Sequence, residues 1–314
     1  SDVTLIFINA RTQMSVTRTA VSLLLLLCIS LFSCINQGDK TARSPVPGKI
    51  NRIGYDLSGP EKTMILPPSL LEVSGIAVID STTVACIQDE NGIIFIFDLG
   101  QNEITDHFTF YYAGDYEGIA RVDSSFFVLR SDGVIFEIRN PGASEVQTHI
   151  IPAAFPAAEY EGICFDQDDH RLLIVPKTRP GRGSGEETDH PVYGYDTRSG
   201  TPFNEAVLEL HLSSVIRYAS ENELRMDEGK NDTGLRISAV AIHPLTNLIF
   251  AVSAVNRMLY VFNNDGTVNY IERLNPDLFN LPEGISFHDN GDMLISNEGS
   301  VNPPSLLLFK YQLP

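Results

Sequence analysis

A chain of 314 residues has room for one large closed domain or two ordinary ones. With 43% apolar and 20% charged residues it is globular rather than disordered. Forty acidic against 22 basic residues give a formal net charge of −18, which repels phosphate backbones and excludes nucleic acid as an expected partner. The acids are scattered rather than in runs, so the surface suits cations and resists anionic lipid.

The N-terminal forty residues read as an address. Met14 is the natural start, with residues 1–13 an upstream extension, and Arg18 is the positive flank. Ala20 to Ser33 is apolar, with five leucines from Leu23 to Leu27. Such a run is short for a membrane span of about 20 residues and fits a secretory signal. It ends Leu31-Phe32-Ser33-Cys34, which resembles a bacterial lipobox, with Phe32 an imperfect match. The resemblance implies cleavage before Cys34, a diacylglycerol on its sulfur, and a protein held in the bacterial cell envelope at the outer membrane. The alternative is a plain signal peptide with a chance cysteine. The expected division is therefore 1–33 signal, 34–50 lipidated cysteine and flexible tether, and 51–314 a single folded domain.

Five related stretches follow. They are Val73-Ser74-Gly75-Ile76-Ala77, Tyr116-Glu117-Gly118-Ile119-Ala120, Tyr160-Glu161-Gly162-Ile163-Cys164, Ile237-Ser238-Ala239-Val240-Ala241 and Pro282-Glu283-Gly284-Ile285-Ser286. The Gly or Ala positions are 75, 118, 162, 239 and 284, and repetition near 40–45 residues marks propeller blades. Between them lie short β-rich segments separated by turns such as Asp80-Ser81-Thr82, Ser131-Asp132-Gly133 and Asn263-Asn264-Asp265-Gly266. Four such segments per repeat make a blade.

The expected fold is an all-β, five-bladed β-propeller. The long step from Gly162 to Ala239 either hides a sixth blade or, as preferred, holds one blade with two insertions, Thr178 to Pro191 and Ser213 to Leu235. The second insertion is expected to begin with a helix capped by Ser213. The last repeat lacks its outer strand, which a segment within Leu57 to Leu66, with Lys62 to Leu66 preferred, can supply, closing the ring with strands from both termini. Cys86 and Cys164 read as buried free thiols.

In a propeller the first strand of each blade lines the channel. The residues before each Gly or Ala are Ser74, Glu117, Glu161, Ser238 and Glu283. The ends of the second strands carry Asp89, Glu90, Arg130, Lys177, Ser253, Asn297 and Glu298, and both sets are expected at one mouth. Converging carboxylates cannot all stay ionised without cations. Either Arg130 and Lys177 neutralise Glu117 and Glu161, or a hard divalent cation sits among the oxygens, and Ca²⁺ with six to eight oxygen ligands suits such a ring. The candidate metal ligands are Glu117, Glu161, Glu283, Asp89 and Glu298; Arg130 and Lys177 are the candidate ligand-binding residues. Turn acids lack EF-hand spacing, the histidines form no zinc pair, and no Gly-x-Ser-x-Gly or P-loop occurs. His243 and His288 read as packing residues beside turns.

The ordered motifs Val73-Ser74-Gly75-Ile76-Ala77 with Asp89-Glu90, Asp115-Tyr116-Glu117-Gly118-Ile119, Glu159-Tyr160-Glu161-Gly162-Ile163 and Leu281-Pro282-Glu283-Gly284-Ile285 with Asn297-Glu298 resemble those of the SdiA-regulated, YjiK-like family. The resemblance spans about residues 50–314. It implies a five-bladed propeller, a Ca²⁺ site and kinship with NHL-type propellers, and it implies no established activity.

Two functions follow as expectations. One is a membrane-anchored, calcium-bearing binding module for a protein, glycan or small-molecule ligand. The alternative is a calcium-dependent, phytase-like or lactonase-like hydrolase, in which Arg130 and Lys177 hold an anionic substrate.

Overall fold

A computed structural model of the chain describes residues 50–142, 146–152, 154–157, 159–178, 189–225 and 235–313. The expected signal segment, Cys34, most of the tether and most of the first insertion lie outside the described residues. Among the described residues no helix is long and apolar enough to cross a membrane.

A lone strand, β1 (Lys62–Ile65), and a short 3-10 turn (Pro68–Leu70) precede the first blade. That blade is β2 (Val73–Val78), β3 (Thr83–Gln88), β4 (Ile93–Asp98) and β5 (Glu103–Thr109). The second is β6 (Tyr116–Val122), β7 (Ser125–Arg130), β8 (Ile135–Arg139) and β9 (Gln147–Ile151). The third is β10 (Tyr160–Asp166), β11 (Arg171–Pro176), β12 (His190–Asp196) and two short pieces, β13 (Thr201–Pro202) and β14 (Leu208–Leu210), which both pair with β12. Helix α1 (Leu212–Glu221) follows. The fourth blade is β15 (Ala239–Ile242), β16 (Ile249–Ser253), β17 (Met258–Phe262) and β18 (Val268–Arg273). The fifth is β19 (Pro282–Phe287), β20 (Met293–Asn297) and β21 (Ser305–Phe309).

Each blade is an antiparallel meander, and β1 completes the last one by pairing with β21, Lys62 opposite Leu308. The inner strands β2, β6, β10, β15 and β19 touch in that order, and β19 returns to β2. The ring therefore closes with five blades and the long step holds one blade, as expected. Closure through a terminal strand leaves the last sheet without a missing edge.

The core lies between blades, because alternate residues of a strand face opposite neighbours. In β3, Val84 and Cys86 pack toward the fifth blade while Ala85 and Ile87 pack toward the second. In β16, Phe250 and Val252 face the fifth blade while Ile249 and Ala251 face the third. Five such clusters fill the five junctions. Each fully buried aliphatic or aromatic side chain contributes roughly 2 kcal/mol. Cys86 and Cys164 are buried free thiols within this packing, and burial pushes the Cys86 thiol up to about 12. The outer strand β5 pairs with β4 and is largely exposed.

The third blade departs from the sequence reading in detail. Its outer edge is made of two fragments, β13 and β14, rather than one continuous strand. Helix α1 is not capped by Ser213. His211 is the capping residue, and the Asp189 carboxylate accepts the Leu212 N–H at 3.0 Å while holding His211 Nδ1 at 2.6 Å. A carboxylate at a helix N-terminus satisfies a free N–H and complements the dipole. Asp189 is 23 positions before Leu212, so no local pattern signals it.

Candidate functional site: an acidic channel mouth

The repeated motif produces the site through a register fault. In β2 and β3, Val73 faces Gln88 and Gly75 faces Ile87, so Ser74 has no partner. The same shift leaves out Glu117 between Tyr116 and Gly118, Glu161 between Tyr160 and Gly162, and Glu283 between Pro282 and Gly284. A β-bulge of this kind re-aims the extra side chain. Four blades thus turn one residue each, three of them glutamates, toward the channel mouth.

Glycine follows the bulge because inner strands crowd there. A Cβ on Gly118 would stand 2.8 Å from Ile163 Cγ2 and 2.9 Å from the Glu161 carbonyl oxygen of the next blade. A Cβ on Gly75 would meet the Gly118 Cα at 3.0 Å. The fourth blade carries Ala239 at this position, and the buried Ser238 precedes it.

A second repeated contact brings in the ends of the second strands. The backbone carbonyl three positions before the glycine accepts an N–H from the residue just after that strand. The pairs are Asp89 N to Glu72 O, Ser131 N to Asp115 O, Lys177 N to Glu159 O and Glu298 N to Leu281 O. Asp89, Ser131, Lys177 and Glu298 are therefore equivalent, and all four line the mouth.

The resulting cavity is about 300 Å³. Among the described residues eight carboxylates line it: Glu117, Glu161, Glu283, Asp89 and Glu298 from the sequence reading, with Glu72, Asp115 and Glu159 in addition. Lys177 is the one basic residue among the described residues that line it. Its ammonium forms an ion pair with the Glu161 carboxylate. Ser74 is committed elsewhere, donating its hydroxyl to the Tyr116 carbonyl at 2.6 Å.

Arg130 is not brought to the cavity. It pairs with Tyr116 in the ladder, one residue before the mouth position, which Ser131 takes. Adjacent strand residues point opposite ways, so its guanidinium turns to Asp132 with bonds of 3.0 and 2.8 Å and lies over the Phe136 ring. The ion-pair ring is half assembled: Lys177 neutralises Glu161, and Arg130 does not neutralise Glu117. Glu90 is exposed, and Ser253 and Asn297 are fully buried in local hydrogen bonds.

Glu72, Asp115 and Glu159 were legible in principle, since each stands three positions before its glycine. Arg236 has the same offset in the fourth blade, and its charge acts on Glu161.

Packing carboxylates into a half-closed space makes ionisation costly. Burial first, then Glu161, Asp115 and Glu283, pushes Glu117 up to about 9. Burial, Glu161 and Glu298 raise Glu283 to about 8 against a hydrogen bond from Ser238. Burial with Glu72, Glu298, Glu90 and Asp115 raises Asp89 to about 6. Glu161 is also raised by burial, although Lys177 pulls it down. Burial works against the Lys177 charge, but Glu161, Glu117 and Glu159 outweigh it and leave the ammonium pKa raised.

The donor set suits a hard cation: it is all oxygen, and Asp89 Oδ1 is buried without a hydrogen-bond partner among the described residues. Among the described residues no three His, Cys, Asp or Glu side chains are arranged to hold a metal ion as they stand.

No family model matches the chain. No curated protein matches it. Similar solved structures include glutaminyl cyclase of Myxococcus xanthus, with a TM-score of 0.52 and 11% identity over 80% of this chain and 95% of that one. They also include a nidogen/laminin complex (TM-score 0.45, 12% identity, 72% of each chain) and streptogramin B lyase (TM-score 0.42, 13% identity, 81% of this chain and 72% of that one). At such identities the likeness concerns fold alone, and the first supports the ring described above. The chain is a five-bladed β-propeller whose channel opens at one end into a carboxylate-lined mouth.

Proposed function

We propose that the acidic mouth is a cation site, that Ca²⁺ is its ion, and that the propeller is a binding module presenting this ion at one end of its channel. The observation that carries the proposal is the set of bulges at Glu117, Glu161 and Glu283, which directs one buried and two half-buried glutamates from three blades into one cavity with, among the described residues, a single lining ammonium. Glu117, Glu283, Asp89 and Glu298 would hold the ion, with Glu161 shared between it and Lys177. Bound Ca²⁺ would supply the positive charge that lets these carboxylates ionise together.

The hydrolase alternative assigns Arg130 and Lys177 to hold an anion beside the mouth. Arg130 is paired with Asp132 away from it, and the Lys177 ammonium is paired with Glu161, so the binding role is the better-supported reading. The sequence motifs support kinship with the SdiA-regulated, YjiK-like family. The Leu31-Phe32-Ser33-Cys34 run supports lipidation at Cys34 and an envelope location.

The test is the melting temperature of the chelator-treated chain with added Ca²⁺ or Mg²⁺. A Ca²⁺-specific rise that Glu117→Gln with Glu283→Gln removes is expected; no rise with either ion overturns the reading. Palmitate incorporation that Cys34→Ser abolishes tests the anchor separately.

A further inference from the structure

The two ends of the propeller domain meet at a buried histidine that does not line the acidic mouth. His243 follows β15 and is fully buried. Its Nδ1 accepts the backbone N–H groups of Leu245 and Thr246, both at 3.2 Å. Asp80 makes the same pattern in the first blade, its Oδ1 accepting from Thr82 and Thr83 at 2.8 and 2.9 Å. Asp98 and Asp196 repeat it in other turns. The fourth blade thus builds with imidazole a turn that other blades build with carboxylate. Because Nδ1 accepts, the ring proton sits on Nε2, and Nε2 has no hydrogen-bond partner among the described residues.

The rest of the ring is enclosed by aromatic groups from four segments. Tyr55 comes from the N-terminal segment, Tyr311 from the C-terminal segment, Phe250 from β16 and Phe287 from β19, with ring centroids 6.1, 4.7, 5.6 and 5.0 Å away. A Cβ on Gly291 would fall 3.2 Å from Nε2, so the turn between β19 and β20 closes another side. The terminal segments are tied to that same turn: Tyr55 donates its hydroxyl to Gly291 O at 2.6 Å, and Tyr311 N–H donates to Asp292 at 3.0 Å. Gln312 N–H donates to Gly54 O at 2.9 Å, joining the two ends to each other.

We infer that His243 is an acid-sensitive latch for ring closure: when its Nδ1 takes a proton, the Tyr55 and Tyr311 segments release from the fourth and fifth blades. The proton comes from solvent and no other covalent bond is made or broken. Protonation removes the acceptor for two backbone N–H groups and places a cation among hydrocarbon and ring edges. The groups on the facing elements do not compensate. Tyr55 and Tyr311 offer neutral hydroxyls. Asp292 is held by Lys310 Nζ at 2.6 Å, by Asn290 and by Tyr311 N–H. His288, on the same turn, lies among Asp292, Lys310 and Asp289. Burial accordingly depresses His243 to about 4. This device is independent of any ion at the acidic mouth.

The experiment is hydrogen exchange by mass spectrometry on the full chain at pH 7.0 and pH 4.5, corrected for intrinsic rates. His243→Asn is the comparison, because an amide oxygen can accept the same two N–H groups without titrating. Peptides covering 50–57 and 307–313 should open on the order of 50-fold more readily at pH 4.5, the ratio that linkage gives for a His moving between 6.5 and about 4. Peptides from β10 and β11 should hold, and His243→Asn should remove the step. Equal protection of the terminal peptides at both pH values, or the same loss in His243→Asn, overturns the latch. Should the variant not fold, the His243 ring protons in wild-type NMR decide: titration near 6.5 overturns it, and titration near 4 with loss of the Tyr311 ring shift supports it.

Discussion

Lys177, just beyond the end of β11, forms an ion pair with Glu161, the bulged residue of the neighbouring strand β10. It is the lining charge that opposes eight carboxylates. Glu161 is 7% exposed, so the pair is close to buried. Removing one partner of such a pair leaves an uncompensated charge or forces it to neutralise. Lys177→Met should cost about 2 kcal/mol without Ca²⁺, measured by urea unfolding at pH 8, and most of the loss should return with Ca²⁺.

The raised carboxylates set a pH dependence with a definite sign. Glu117 and Glu283 have folded values of about 9 and 8, above their ordinary 4.5. A folded value above the unfolded one stabilises fully below pH 4.5 and is lost as pH rises through 8 and 9. Chelator-treated protein should therefore melt on the order of 5 °C lower at pH 9 than at pH 6. Thermal scans with and without Ca²⁺ check this, since the ion should abolish the decline.

His243 gives the opposite arm. Its folded value of about 4 lies below the ordinary 6.5. Its contribution is complete above pH 6.5 and disappears as pH falls toward 4. His243→Asn should flatten the acid side of the stability profile and leave the alkaline side unchanged.

Gly118→Ala tests the crowding that accompanies the bulges. Its Cβ would press on Ile163 Cγ2 at 2.8 Å and on the Glu161 backbone oxygen at 2.9 Å. A loss of about 2 kcal/mol is expected from overpacking, with weakened cation binding because Glu161 is displaced. Ala239→Gly, at the equivalent place in the fourth blade, should cost less than 1 kcal/mol of packing, about one buried methyl. Urea midpoints of the two variants compare them directly.

Much of this was legible in the chain. Repeat spacing gave five blades, the truncated last repeat called for a strand within Leu57 to Leu66, which β1 supplies, and the residue before each glycine identified Glu117, Glu161 and Glu283. Arg130 was misplaced because a one-residue shift in a strand reverses the side chain, and the ladder puts Ser131 at the mouth. Glu72, Asp115 and Glu159 went unrecognised although they share one offset from the glycines, because their role depends on a backbone contact to the second strand. The Asp189 cap of α1 joins residues far apart in sequence, which no local rule reaches.

The central claim is that bulged glutamates form one cation site. Calorimetric titration of Ca²⁺ at pH 7 in buffers of different ionisation enthalpy tests it most directly. Glu117 and Glu283 are protonated at that pH without an ion, so each bound Ca²⁺ should expel more than one proton, at roughly one ion per chain. Glu117→Gln with Glu161→Gln and Glu283→Gln should erase both the binding heat and the proton release. Heat without proton release, or binding unchanged in the triple variant, would contradict the account.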